Sequence, residues 1–264
     1  MLKQRVMTAL ALAAVALIVI FLLPHAAMKA ALALLVVAGA WEWSVFRGAA
    51  SGAARLAYAA LIALGVAIVW HLDHLGVRLE AVLYAALVWW IVAFVWVVTI
   101  PGSVSNTAAG IAGLFVLIPA WLGLVKLHEH SPTLMLFLVM LVVAADVGAY
   151  FVGRRFGRHK LAPRVSPGKT WEGVLGGFLC AGLVGLLGVF WFSAPAARFL
   201  GLCFIVIVAS IVGDLTESLF KRHAGVKDSG NWLPGHGGVL DRVDSMTAAA
   251  PVFLVGLERL GLFR

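Results

Sequence analysis

The chain has 264 residues, 63% of them hydrophobic and 12% charged, with a mean hydropathy of +1.04. A soluble domain carries roughly 25% charged and 45–50% apolar residues, so these figures exclude a soluble globular domain, a disordered chain and a collagen-like fibre. The net charge of +8 would suggest nucleic acid in a soluble protein, but in a membrane protein it points to positive-inside bias and anionic lipid, and no nucleic-acid partner is expected.

The apolar residues form unbroken runs of helical length, unlike the alternating pattern of an outer-membrane barrel. Nine spans are predicted, at 6–23, 28–46, 54–70, 81–100, 107–124, 133–152, 174–192, 199–219 and 238–258. Lys3 and Arg5 precede the first run. A second apolar stretch follows almost at once, which favours an uncleaved span over a signal peptide. Pro24, the Arg47–Arg55 stretch, the His71–Glu80 stretch and Pro101–Asn106 punctuate the first half. Pro119 and Pro251 fall inside spans, where neighbouring helices tolerate a kink. Trp41, Trp43, Trp70, Trp89, Trp90, Trp96 and Trp121 cluster toward span ends and read as belt residues. Cys180 and Cys203 read as buried free thiols. His71, His74, His128 and His130 read as solvated residues on the far side.

With the N-terminus in the cytoplasm, fourteen of the twenty Lys and Arg residues fall on the cytoplasmic side. That asymmetry supports nine spans and an outside C-terminus. The predicted fold is therefore an all-α polytopic integral membrane protein. Residues 1–135 form five spans with few ionisable groups, Glu42 being the main exception. Residues 136–264 form four spans with basic cytoplasmic loops. They carry Asp146, Glu172, Asp214, Glu217, Asp228, Asp241 and Asp244. The chemistry is expected in this second part, at the cytoplasmic ends of its spans.

An ionisable group at the centre of a spanning helix costs a few kcal/mol on insertion scales. One such Asp is readily explained by an ion pair. Four of them, Asp146, Asp214, Asp241 and Asp244, reach one depth on one side and favour a metal. Asp241 and Asp244 share a helix face. Asp214, Glu217 and Lys221 form one stripe, with Lys221 about 10 Å along the axis from Asp214. Carboxylates beside Lys221 and Arg222 suit Mg²⁺ with phosphate. The ion takes one or two protein carboxylates and fills its shell with water and phosphate oxygens, and the cationic side chains neutralise the remaining charge.

Gly235-His236-Gly237-Gly238 precedes the last span and can point backbone N–H groups at an anion. Alone it is an ordinary turn. Between Lys227-Asp228 and Asp241-Arg242-Val243-Asp244 it gains weight. Ser166-Pro167-Gly168-Lys169-Thr170 is not a P-loop, because residue 163 is Pro where that motif needs Gly. What remains is a Ser-Pro turn before the seventh span. Ser166 and Lys169 either bind phosphate there or only cap the helix and face lipid headgroups.

Together these residues resemble the phosphatidate cytidylyltransferases, the CDP-diacylglycerol synthases. The similarity runs through Ser218-Leu219-Phe220-Lys221-Arg222, Lys227-Asp228-Ser229-Gly230 and Leu233-Pro234-Gly235-His236-Gly237-Gly238-Val239-Leu240-Asp241-Arg242-Val243-Asp244. Asp146 with Tyr150, Gly153 and Arg154 also fits the family. So does Ser166-Pro167 with Lys169-Thr170-Trp171-Glu172-Gly173. Gly168 departs from it, since members often carry a second lysine there. In the first half only the hydropathy and the Glu42-Trp43 pair match.

The resemblance implies that CTP and phosphatidate give CDP-diacylglycerol and pyrophosphate, with Mg²⁺ required and a second cation compatible with the site. It implies metal roles for Asp146, Asp214, Asp241 and Asp244. Lys221, Arg222, Lys227, Asp228, His236 and Arg242 become the expected catalytic and phosphate-binding set. Ser166, Lys169, Glu172, Ser218, Gly235, Gly237 and Gly238 are expected around the bound nucleotide. The implied setting is the bacterial inner membrane, with membrane lipid around the chain and a homodimer as the assembly the reading allows. Two rivals are a transferase using CTP on another lipid phosphate and an ion-coupled transporter. The transporter would need acidic groups near span centres and paired interrupted helices.

Overall fold

The computed structural model describes residues 14–102, 104–230, 232 and 237–262. Nine helices appear among the described residues: α1 (14–22), α2 (His25–Trp43), α3 (Gly52–His74), α4 (Glu80–Thr99), α5 (Asn106–His130), α6 (Pro132–Phe156), α7 (Trp171–Trp191), α8 (Ala196–His223) and α9 (Leu240–Arg259). Seven of them, α2 to α8, are long and apolar enough to cross a membrane. The first predicted span is described only from residue 14, so Lys3 and Arg5 lie outside the described residues, as does Arg264. α9 is more charged, with Asp241, Arg242 and Asp244 in its first turns.

One small element adds to the predicted all-α architecture. Residues 160–170 form an antiparallel hairpin, β1 (Lys160–Ala162) with β2 (Ser166–Thr170). Its strands are short, and Pro163 sits at the bend between them. The hairpin leads straight into α7, where the Thr170 hydroxyl accepts the Gly173 N–H at 3.1 Å as an N-cap.

Small residues let α6 and α7 pack closely along their length, as membrane helices without a hydrophobic driving force require. A Cβ at Gly177 would sit 2.8 Å from the Ala145 carbonyl oxygen, and one at Gly173 2.9 Å from that of Ala149. α9 is the interior helix. Ala248, Ala249, Ala250 and Phe253 are fully buried, and a Cβ at Gly123 of α5 would lie 2.9 Å from the Pro251 nitrogen. Pro119 and Pro251 both fall inside helices, α5 and α9.

Three of the expected belt tryptophans are core residues. Trp43, Trp90 and Trp121 are buried, and Trp43 Nε1 donates to the Ala109 carbonyl at 2.8 Å. An indole is amphipathic, and a backbone acceptor inside the bundle serves it as well as headgroup water. The histidines also divide. His71, His74 and His130 are exposed, whereas His128 is buried, stacks on His25 and bonds the Ile20 carbonyl oxygen at 2.9 Å. Beside it, Lys29, Asp73, Lys126 and Glu129 form a closed ion network joining α2, α3 and α5. Both cysteines are free, with Cys203 buried.

Candidate active site

The site forms where α6 and α8 end and α7 and α9 begin. α8 has 28 residues. At 1.5 Å per residue that is about 42 Å, longer than a hydrocarbon core of about 30 Å. Its last three turns carry Asp214, Glu217, Ser218, Lys221 and Arg222.

Two constellations lie side by side there. The first surrounds a cavity of about 570 Å³ whose polar lining includes Asp146, Tyr150, Arg154, Ser166, Lys169 and Asp214. Lys169, on the hairpin, forms an ion pair with Asp214 on α8. The other Asp214 oxygen accepts the Ser218 hydroxyl at 3.3 Å. Asp146, from α6, lies close enough to Asp214 and Lys169 for their charges to interact. Arg154 donates to the Tyr150 hydroxyl at 2.8 Å. Most of the wall is apolar, with Ala145, Val174, Ile207 and Ile211.

The second constellation is buried. Lys221 Nζ donates to Asp241 Oδ1 at 2.7 Å and lies 3.1 Å from Glu217 Oε1. Asp241 Oδ2 accepts two backbone N–H groups, from Ser229 at 2.9 Å and Gly238 at 2.8 Å. Gly237 has φ +79°, the left-handed region that favours glycine, and this turn brings the Gly238 N–H onto Asp241. Lys221 and Asp241, expected on phosphate and metal, thus satisfy each other in this structure. The Asp244 carboxylate accepts the Ser245 N–H at 2.7 Å and feels the charges of Asp214, Glu217 and Lys221.

The remaining expected residues divide further. Glu172 does not face the cavity. It accepts the backbone N–H groups of Arg158 and His159 and the His159 ring, locking the entry to the hairpin. Arg222 Nε donates to the Val165 carbonyl at 3.4 Å, so α8 holds the hairpin's bend. Lys227 and Asp228 are exposed, and no ion pair joins them among the described residues. Arg242 is exposed on α9. Gly235 and His236 lie outside the described residues.

Glu42 was legible only as an odd acid in an apolar span. It is 2% exposed and accepts the Ser229 hydroxyl at 2.8 Å and the Val239 and Leu240 N–H groups at 2.9 and 2.8 Å. A carboxylate at a helix N-terminus satisfies unpaired donors and complements the helix dipole. Its position between Trp41 and Trp43 was the available signal.

Five carboxylates, Asp146, Asp214, Glu217, Asp241 and Asp244, gather here, with Lys169 paired to Asp214 and Lys221 to Glu217 and Asp241 among the described residues. Such an excess of like charge suits a divalent cation. Among the described residues no three acidic or imidazole groups stand close enough to form a ready ligand set. A cation would draw in Asp146, Asp214 and Asp244, one from each of three helices.

A cytidylyltransferase family model matches residues 3–259. The phosphatidate cytidylyltransferase of Pseudomonas aeruginosa is 49% identical over 272 aligned positions, covering 99% of this chain and 98% of that protein. The Haemophilus influenzae protein of the same name is 39% identical, covering 96% of this chain and 97% of its own length. The Brucella suis protein is 47% identical over 143 positions, 53% of each chain.

Proposed function

The chain belongs to the cytidylyltransferase family, and we propose that it is a phosphatidate cytidylyltransferase, an integral membrane enzyme joining CTP to phosphatidate to give CDP-diacylglycerol and pyrophosphate. The observation that carries this reading is the cavity lined by Asp146, Lys169 and Asp214 together with apolar residues such as Val174, Ile207 and Ile211. A water-soluble triphosphate and a membrane lipid can meet only at such a boundary.

The reaction needs no protein nucleophile. A phosphate oxygen of phosphatidate attacks the α-phosphorus of CTP in line, the new P–O bond forms, and the bond to the β-phosphate oxygen breaks with its electron pair leaving on pyrophosphate. Binding and orientation are the protein's work. Asp146, Asp214 and Asp244 would hold Mg²⁺, and Asp241 keeps Lys221 and the Ser229–Gly238 loop in place beside them. Bound Mg²⁺ would neutralise charge on the phosphate oxygens at the displacement. Lys169 sits on Asp214, and its ammonium would be free for a phosphate oxygen if that carboxylate held Mg²⁺. Arg154, Arg222, Lys227 and Arg242 supply further positive charge at the mouth.

The charge asymmetry of the loops supports a cytoplasmic hairpin end, an inside N-terminus and an outside C-terminus. That is also where CTP is available. The reading includes a homodimer, which a mass measurement in detergent checks. The decisive experiment is transfer of label from α-³²P CTP to phosphatidate by the purified protein, with and without Mg²⁺. Label should enter the lipid only with Mg²⁺, and absence of labelled lipid in both conditions would overturn the reading.

A further inference from the structure

A second cavity, about 810 Å³, lies on the opposite side of the hairpin, between α4, α7 and α8. It shares Leu161, Val174 and Ile211 with the polar cavity, so the two adjoin along these residues. The two sides of the hairpin divide the chemistry. Ser166, Gly168, Lys169 and Thr170 line the polar cavity, while Ala162, Pro163, Arg164 and Val165 line the second. Apart from Arg164 and Thr99 the lining is apolar.

The groove has a length. It follows α8 from Leu215 to Phe204, eleven residues or about 16 Å, which is about half a bilayer's hydrocarbon thickness of roughly 30 Å. At its deep end lie Phe178 and Phe204, whose rings stack with centroids 4.8 Å apart. One acyl chain of a lipid whose phosphate is level with the hairpin would run this distance within its own leaflet. Arg164 in this groove and Lys169 in the adjoining cavity match the charge of a phosphate monoester.

We propose that this groove seats one acyl chain of phosphatidate, and that the Phe178–Phe204 stack sets the chain length the enzyme prefers. The inference rests on the cytidylyltransferase reading and adds to it the part of the lipid that the polar cavity does not hold. Bilayer is as apolar as the groove, so seating the chain adds little affinity. It fixes the height of the phosphate relative to Lys169 and Asp214. A chain too long for the floor lifts the phosphate out of line.

The test compares kcat/KM for long-chain and short-chain phosphatidates in mixed micelles at saturating CTP and Mg²⁺. Val208→Trp fills the groove above its floor and should lower the long-to-short ratio about tenfold, the scale of a misfitted methylene in a shaped pocket. Phe204→Ala removes the floor and should shift the ratio toward long chains. Leu187→Trp, on an exposed stretch of α7 away from the groove, should leave it unchanged. Wild-type ratios in both Val208→Trp and Phe204→Ala would overturn the proposal, and if Val208→Trp does not fold, Phe204→Ala decides alone. A phosphatidate with a photoreactive chain end, added without CTP, separates this from the activity reading. It should label residues 204–212 in preference to a phosphatidylcholine analogue, and equal labelling by both would show bilayer lipid only. Turnover of wild-type protein with any phosphatidate tests the parent reading independently.

Discussion

The carboxylate of Glu42, at the end of α2, accepts the backbone N–H of Leu240, the first residue of α9, at 2.8 Å across 198 positions of sequence. With Val239 and Ser229 as its other donors, it ties the apolar first half of the chain to the loop that carries the family's sequence signature. Glu42→Ala leaves these buried donors without a partner, at about 1–3 kcal/mol for each unsatisfied group. The expected result is a thermal transition in detergent lowered by several degrees and cytidylyl transfer reduced at least tenfold. Glu42→Gln keeps an acceptor oxygen and should recover part of both. Wild-type behaviour of Glu42→Ala would show that the loop holds its shape without α2.

Lys221 offers a choice between structure and substrate. Its ammonium is buried between Glu217 and Asp241. Removing one partner of a buried pair costs about 3–5 kcal/mol. Lys221→Met should therefore destabilise the protein, and adding Asp241→Asn should restore part of the loss. A CTP KM raised at unchanged stability would instead place Lys221 on phosphate.

Asp214→Asn and Asp146→Asn keep size and remove charge. If these residues hold Mg²⁺, each should cut turnover by at least 10²-fold at fixed Mg²⁺, about 2.7 kcal/mol of barrier, and raise the Mg²⁺ concentration needed for half-maximal rate. Glu80→Gln, an exposed acid at the opposite end of the bundle, should be silent. Unchanged metal dependence in both Asn variants would remove the cation from this cavity.

Topology is tested by cysteine labelling in a background without Cys180 and Cys203. Val77→Cys, in the exposed turn after α3, should react with an impermeant reagent on intact cells. Pro167→Cys, exposed on the hairpin, should react only after permeabilisation. The reverse pattern would invert the proposed orientation.

Hydropathy alone determined the class of this protein. A chain with 63% hydrophobic residues in helix-length runs has few folds open to it, because in lipid the backbone must satisfy its own hydrogen bonds. The chemistry-bearing residues were also legible, since charges so costly to place near a membrane stand out against an apolar background. Their partners were not. Spacing along α8 puts Asp214 and Lys221 on one stripe, but only packing decides that Asp214 meets Lys169 and Lys221 meets Asp241. Trp43 and Trp121 looked like interface residues because an indole suits headgroups, and the bundle offered buried carbonyls instead. His128 looked solvated because it sits near a helix end, and that end packs against His25 and the Ile20 carbonyl beside an ion network. The hairpin was hidden because strand pairing over three to five residues leaves almost no periodic signal. Tertiary structure alone set it between a polar cavity and an apolar groove, since the neighbours that line each come from helices far apart in sequence.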